Sequence, residues 1–267
     1  MHLLVTGAAG FLGGACVRLA EQDGHRVSAI TRAEADLADP AEVMRVAELA
    51  GQADATIHVA AKADFTCPDT HVFTRPNVVA TALLAEACAA HDRGFVYASA
   101  AVIAPGEEIT ANSPDAPASG YIRSKWLGEQ AALALYPGAA ALRLGGIYGR
   151  GGPAHLGLNR AIDAALDQGE APIIFGDGSP RRNYLHVDDA ARALLAAAEQ
   201  GWHGRHLIAG HEVLTVAEIM TLVATILAGT VPRRAPDKPS GATMVVRPSP
   251  AQPASRPLAR VLAGMAA

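Results

Sequence analysis

Aromatic side chains are scarce in this 267-residue chain: five Phe, five Tyr and two Trp make up 4% of it. The core must therefore be built from Ala, Val, Leu and Ile, which suits helices layered on a sheet. Only three cysteines are present, Cys16, Cys67 and Cys88, and they show no CxxC spacing. That argues against a disulfide framework or a zinc ribbon and points to a reducing, cytoplasmic compartment. Charge is thin as well, at 18% of residues and a net of -4, so no broad electropositive surface awaits nucleic-acid phosphates or anionic lipid. Long apolar runs are missing. After the opening segment the longest, Ile219 to Val231, is too short to span a bilayer and contains Gly229. The apolar opening MHLLVTGAAGFLGGACV lacks the basic region of a signal peptide and carries spaced glycines instead. Neither nucleic acid nor membrane is expected as a partner.

What is present is alternation. Short β-branched or aliphatic runs recur at His2–Thr6, Arg26–Ile30, Ala55–Val59, Gly94–Ser99 and Ala139–Leu144. Between them lie Ala-rich segments, Gly14–Gln22, Val78–Ala90 and Ser124–Leu135, which predict crossover helices; Asp188 predicts the cap of another running to about Gln200. The pattern implies βαβ units and a parallel sheet. After Leu144 the chain becomes Gly- and Pro-punctuated, and seven prolines fall between Pro232 and Pro257, predicting a loop-rich or partly disordered tail.

Directly after the first strand, TGAAGFLG sets Gly7, Gly10 and Gly13 at the start of a helix. Glycines there permit a tight turn and close backbone approach to a pyrophosphate, and the helix N-terminus offers free N–H donors to phosphate. Phe11 and Leu12 complete the predicted contact set. At the end of the second strand an Asp would favour NAD by binding a ribose 2′-OH. This chain has Thr31 and Arg32 instead. A guanidinium suits a 2′-phosphate, which favours NADP(H) with NAD(H) as the alternative; the plain reading of Arg32 is a surface cation.

Tyr121 and Lys125 are spaced i,i+4, so on a helix both project from one face. An adjacent ammonium stabilises phenolate and lowers the phenol pKa, making the pair competent to move protons. Ser99 closes the apolar run Gly94–Ala98, where side chains at a strand's carboxyl end face the ligand crevice.

Taken in order, TGAAGFLG, the ADL at Ala35–Leu37, HVAAKAD, NVVATALLAEA, YASAAV, YIRSK, LRLGGIYG and GDGSPRRNYLHVDD resemble the extended short-chain dehydrogenase/reductase family over about the first 200 residues. The resemblance implies a doubly wound Rossmann sheet with a small C-terminal substrate lobe. The dinucleotide domain would span 1–146, with 185–205 returning to it, and the lobe 147–184 and 206–267. It further implies that Asp36 and Leu37 lie near adenine, that Ala60 and Ala61 line the cofactor path, and that Lys125 holds the nicotinamide ribose. Ser99 would bond both the substrate oxygen and Tyr121. Arg182 would contact the phosphate of a nucleotide sugar, and a homodimer is left open. Against that reading, Arg181 and Arg182 form a solvated turn with Asp188 as a cap.

Sugar dehydratases of this family carry an Asp-Glu pair after the residue matching Ser99. Here Ala100 and Ala101 follow, so elimination of water loses its acid and base. Ile103 and Ala104 also replace the usual Tyr-Gly, which changes the local turn. His203, His206 and His211 lack HExxH or a supporting carboxylate, so no metal is expected. The expectation is an epimerase or 4-ketoreductase acting on a nucleotide-sugar hydroxyl or ketone. The alternatives are a carbonyl or hydroxysteroid-type dehydrogenase and a non-catalytic NAD(P)-binding regulator.

Overall fold

The computed structural model describes residues 1–64 and 67–266. Strands β1 (His2–Thr6), β2 (Arg26–Ile30), β3 (Ala55–His58) and β4 (Gly94–Ala100) lie within one six-stranded sheet. Its order is Gly204–Ile208, Ala140–Leu144, β4, β3, β1, β2. The registers that run from β2 to Ala140–Leu144 are all parallel. Leu3, Leu4 and Val5 are fully buried, as inner parallel strands covered on both faces require. This is the α/β sheet of Rossmann type that the alternating pattern predicts. Strand order reverses between β1 and β3, and ligands of open α/β sheets bind at the carboxyl ends of the strands flanking such a switch.

Helices α1 (Phe11–Gln22), α2 (Pro40–Gln52), α3 (Ala80–Ala90) and α4 (Gly120–Leu135) connect these strands. Asp39 caps α2 by accepting from the Ala41 amide, and Pro40 starts the helix with a fixed φ and no wasted donor. A π-helical segment, Thr74–Val79, leads into α3. Ser119 caps α4 through the Ile122 amide at 3.3 Å, so the helix begins ahead of the predicted Ser124. The helix Val187–Gln200 starts before Asp188, which is a first-turn acid rather than the predicted cap. His186 takes the capping role, its Nδ1 accepting from the Asp188 amide at 3.2 Å.

The chain forms two compact units. The first comprises Met1–Pro105, Ser113–Leu144 and Ala191–Leu207; the second comprises Gly106–Asn112, Gly145–Ala190 and the residues from Ile208 onward. The second is built on two-stranded pairs, such as Arg181–Arg182 with Leu214–Thr215 and Ile173–Phe175 with Arg233–Ala235. Its core gathers Tyr148, Leu158, Ile162, Ile219, Val223, Leu258 and Leu262.

The proline-rich tail is loop-rich, as predicted, with short ordered pieces set into it and a helix after it. It contributes the strands Arg233–Ala235 and Val245–Val246 and the helix Leu258–Ala266. Proline removes backbone donors, and two buried amides make up the pairing. Gln252 bonds the Ala209 amide and carbonyl at 2.9 and 2.7 Å. Asn183 donates to Val246 O at 2.7 Å and accepts from its amide at 3.0 Å.

Candidate active site

The turn from β1 to α1 builds a phosphate-sized approach. Gly7 adopts φ +72°, and a Cβ there would lie 2.8 Å from the Ala60 amide nitrogen. At Gly13 a Cβ would fall 2.1 Å from Gly7 O, so any side chain would drive helix and turn apart. Gly10 precedes α1, which has neither a side-chain cap nor a first-turn acid, leaving its leading amides for an anion. Above this turn opens a pocket of about 410 Å³. Gly7, Gly10, Phe11, Leu12 and Gly13 form one stretch of its wall, Arg32, Asp36 and Leu37 another, and Ala60, Ala61 and Tyr121 a third. Lys62, Val72 and Pro76 also line it, and sequence reasoning missed them. Lys62 was within reach, since it directly follows Ala61 in HVAAKAD. Val72 and Pro76 belong to a segment with no periodic pattern.

A buried polar line fixes the Ala60 loop. Thr81 Oγ1 donates to Asn77 O at 2.8 Å, so it can only accept from His58 Nε2 at 3.0 Å. Burial, and then the Lys125 charge, push the His58 pKa down to about 3, keeping the ring neutral. Its Nδ1 must therefore accept from Thr6 Oγ1 at 2.7 Å, while that oxygen accepts the Ala60 amide at 3.2 Å. Every polar atom in this line has a partner, which holds β1 and β3 together at the pocket floor.

At the far end Arg32 is 83% exposed and reaches Asp36 Oδ2 at 3.4 Å. Asp36 also accepts the Ala38 amide at 3.0 Å, and this bond, with a smaller contribution from Arg32, holds its carboxyl below the ordinary range.

Tyr121 and Lys125 share a face of α4, but their electrostatics differ from the sequence expectation. Burial raises the Tyr121 phenol rather than lowering it. Lys125 is pushed down to about 7 by burial, against the pull of Glu129. Its Nζ sits 4.1 Å from the centroid of the Tyr97 ring, and it does not line the pocket. Desolvation of both groups outweighs the expected ammonium-phenolate stabilisation.

Ser99 is buried and donates its hydroxyl to Glu129 Oε2 at 2.6 Å, a partner that sequence reasoning missed. Glu129 stands four residues after Lys125, so its place on the same helical face was legible, whereas its partners were not. Arg143 grips Glu129 through Nη2 at 2.7 Å and Asp115 through Nη1 at 2.6 Å. Arg205 Nε adds a bond to Glu129 at 2.7 Å, and Trp126 Nε1 donates to Asp115 at 3.0 Å. Hydrogen bonds from Arg143 hold the Asp115 carboxyl below its usual range. Ala101, Ile103 and Ala104 are buried in the turn after β4, and Ile103 O accepts the Ala116 amide at 2.9 Å. The apolar Ile103–Ala104 pair is thus accommodated by packing.

Arg182 lies in the second unit, half-buried beside Tyr184, with Nη1 donating to Arg181 O at 3.0 Å. His206 bonds His203 O, and His211 bonds Ser255 Oγ at 2.9 Å. Among the described residues no group of three or more His, Cys, Asp or Glu is arranged to hold a metal ion, and no helix is long and apolar enough to cross a membrane.

Residues 3–210 match the model of the NAD dependent epimerase/dehydratase family. A dTDP-4-dehydrorhamnose reductase of Mycobacterium tuberculosis is 31% identical over 222 residues, which cover 79% of this chain and 70% of that protein. A probable dTDP-4,6-dihydroxy-2-methyloxan-3-one 4-ketoreductase of Streptomyces antibioticus is 34% identical, covering 75% of this chain and 72% of its own length. The solved structure of MoeE5 in complex with UDP-glucose and NAD aligns with TM-score 0.79 and 25% identity, over 98% of this chain and 96% of that one.

Proposed function

This chain belongs to the NAD-dependent epimerase/dehydratase family, and from that membership we propose that it performs 4-keto reduction or 4-epimerisation of a nucleotide sugar. It is an NAD(P)-dependent enzyme of the extended short-chain dehydrogenase/reductase type. The observation that carries the reading is Tyr121 in the wall of the dinucleotide pocket. The pocket fits the cofactor: the bare N-terminus of α1 suits a pyrophosphate, and the glycine turn leaves room for close approach.

When bound, the nicotinamide supplies or accepts the hydride. In reduction Tyr121 donates its phenolic proton to the ketone oxygen; in oxidation its phenolate takes the proton of the sugar hydroxyl. Burial, which raises the phenol, favours the protonated donor before substrate arrives. The family resemblance implies that Lys125 contacts the nicotinamide ribose, for which Nζ would have to leave the Tyr97 ring, and an ammonium there would stabilise phenolate in the oxidative direction. Ala100 and Ala101 supply no acid or base, so the sugar keeps its hydroxyls.

Arg32 favours NADP(H). Replacing it with Ala should weaken NADPH binding about tenfold and leave NADH binding unchanged, a modest effect because the guanidinium stands in solvent. Fluorescence titration of both cofactors checks this, and tighter NADH binding by the unmodified protein would reverse the preference.

Arg182 is the phosphate contact. Arg182→Ala should cost about 1.5–3 kcal/mol of nucleotide-sugar affinity and spare the dinucleotide site. Calorimetry with UDP, GDP and dTDP sugars on the cofactor-loaded protein measures it. Binding of none of them, together with reduction of apolar ketones, would replace this reading with that of a carbonyl reductase.

A further inference from the structure

Three charged side chains line the dinucleotide pocket: Arg32, Asp36 and Lys62. Arg32 Nη2 reaches Asp36 Oδ2 at 3.4 Å. The Ala38 amide leads in holding that carboxyl low, followed by Arg32 and then by the charge of Lys62, which places Lys62 towards the Arg32 end of the pocket. The main chain at Lys62 is anchored. Asn77, 1% exposed, accepts the Lys62 amide at 2.7 Å and donates to the Lys62 carbonyl at 3.0 Å. The side chain is exposed, and its ammonium has no hydrogen-bond or ion-pair partner among the described residues. A lysine ammonium carries three donors on a flexible stem. At Lys62 that stem starts from a fixed base, and its charge is uncommitted.

Charge counting gives this ammonium a ligand. A pyrophosphate is met at the glycine turn by the bare leading amides of α1. A ribose 2′-phosphate is a monoester carrying about -1.5 to -2 at neutral pH, and at the Arg32 end it would also face the Asp36 carboxylate. Arg32 alone cannot offset both, since its single charge is already shared with Asp36 and its side chain is 83% exposed. The other cation in the pocket wall is Lys62.

We propose that Lys62 is a specificity-determining residue that binds the 2′-phosphate of NADP(H) together with Arg32. Arg32 presents a planar fork to the phosphate, and Lys62 brings a mobile point charge from the opposite side of Asp36. This deepens the NADP(H) reading above and rests on it.

NADPH and NADH differ only in the 2′-phosphate, so titrating both reads the contact without turnover. Lys62→Met keeps the aliphatic stem and removes the charge. At low ionic strength it should weaken NADPH about fivefold, the upper range for an exposed ion pair, and leave NADH unchanged; Lys62→Arg should restore most of the loss. An equal loss for both cofactors would assign Lys62 to a part they share, and no loss for either would leave it a solvated cation; each result overturns the proposal. The ³¹P resonance of the bound 2′-phosphate separates direct contact from an altered loop. Its pKa should rise in Lys62→Met, because a neighbouring cation favours the dianion. Weaker NADPH binding with that pKa unchanged overturns the proposal too. If the unmodified protein binds NADH more tightly than NADPH, the cofactor preference fails while the 2′-phosphate pKa still decides Lys62; if NADPH does not bind at all, both fall.

Discussion

Tyr121→Phe should reduce turnover at least about 100-fold, the typical yield of a positioned acid or base, while leaving cofactor affinity unchanged. The substitution removes one oxygen and its proton from a side chain whose ring is packed edge-on to Phe73 at 6.1 Å between centroids, so ring packing and the pocket wall are retained. Burial already holds the phenol in its protonated form. The reductive direction therefore loses its proton donor, and the oxidative direction loses the group whose phenolate accepts. Single-turnover measurement with pre-bound cofactor separates this from a binding defect. Near-normal turnover in the phenylalanine variant would remove Tyr121 from the chemistry, and weakened cofactor affinity would recast it as part of the dinucleotide site alone.

Local signals made much of this fold readable. The bounds of β1 and β2 coincide with the runs read from sequence, at β1 because a fully buried apolar run has sharp edges and at the edge strand β2 because Gly24 and Thr31–Arg32 bracket it. The glycine set was legible for a similar reason: a close approach that no side chain can survive leaves a fixed spacing at Gly7 and Gly13. Helix α2 was legible but unread. Asp39 followed by Pro40 is a start signal, and Val43, Val46, Ala47 and Ala50 repeat on one face. What could not be read was the partner choice of buried charges. Lys125, Glu129 and Arg143 each look like surface residues in composition, yet all three are buried. Their burial, like that of Tyr121, whose own desolvation raises its phenol, depends on which strand lies under α4. That register is a property of tertiary pairing: Ser99 and Arg143 become neighbours only once β4 and Ala140–Leu144 align.

Arg143 is where that hidden network bears most on stability. The residue is 6% exposed, and its guanidinium holds two carboxylates, Glu129 and Asp115, with five hydrogen bonds of 3.1 Å or less. Those bonds, opposing the cost of burial, push its own pKa further up. Removing one partner of a buried pair leaves an uncompensated charge and costs about 3–5 kcal/mol. For Arg143→Met the expected loss is near the low end, about 3 kcal/mol, because Arg205 remains on Glu129 and Asp115 is 25% exposed and can rehydrate. Urea denaturation measures it. The pH dependence distinguishes electrostatics from packing. Asp115 is held below its unfolded pKa, so between the two values the folded state binds fewer protons than the unfolded chain, and stability falls as pH drops through that window. Arg143 hydrogen bonds are the leading cause of that depression, so the methionine variant should show a shallower loss of stability below about pH 4. An equally steep acid limb in both proteins would mean that Arg143 contributes only volume, and that Asp115 owes its low pKa to Trp126 and Arg205.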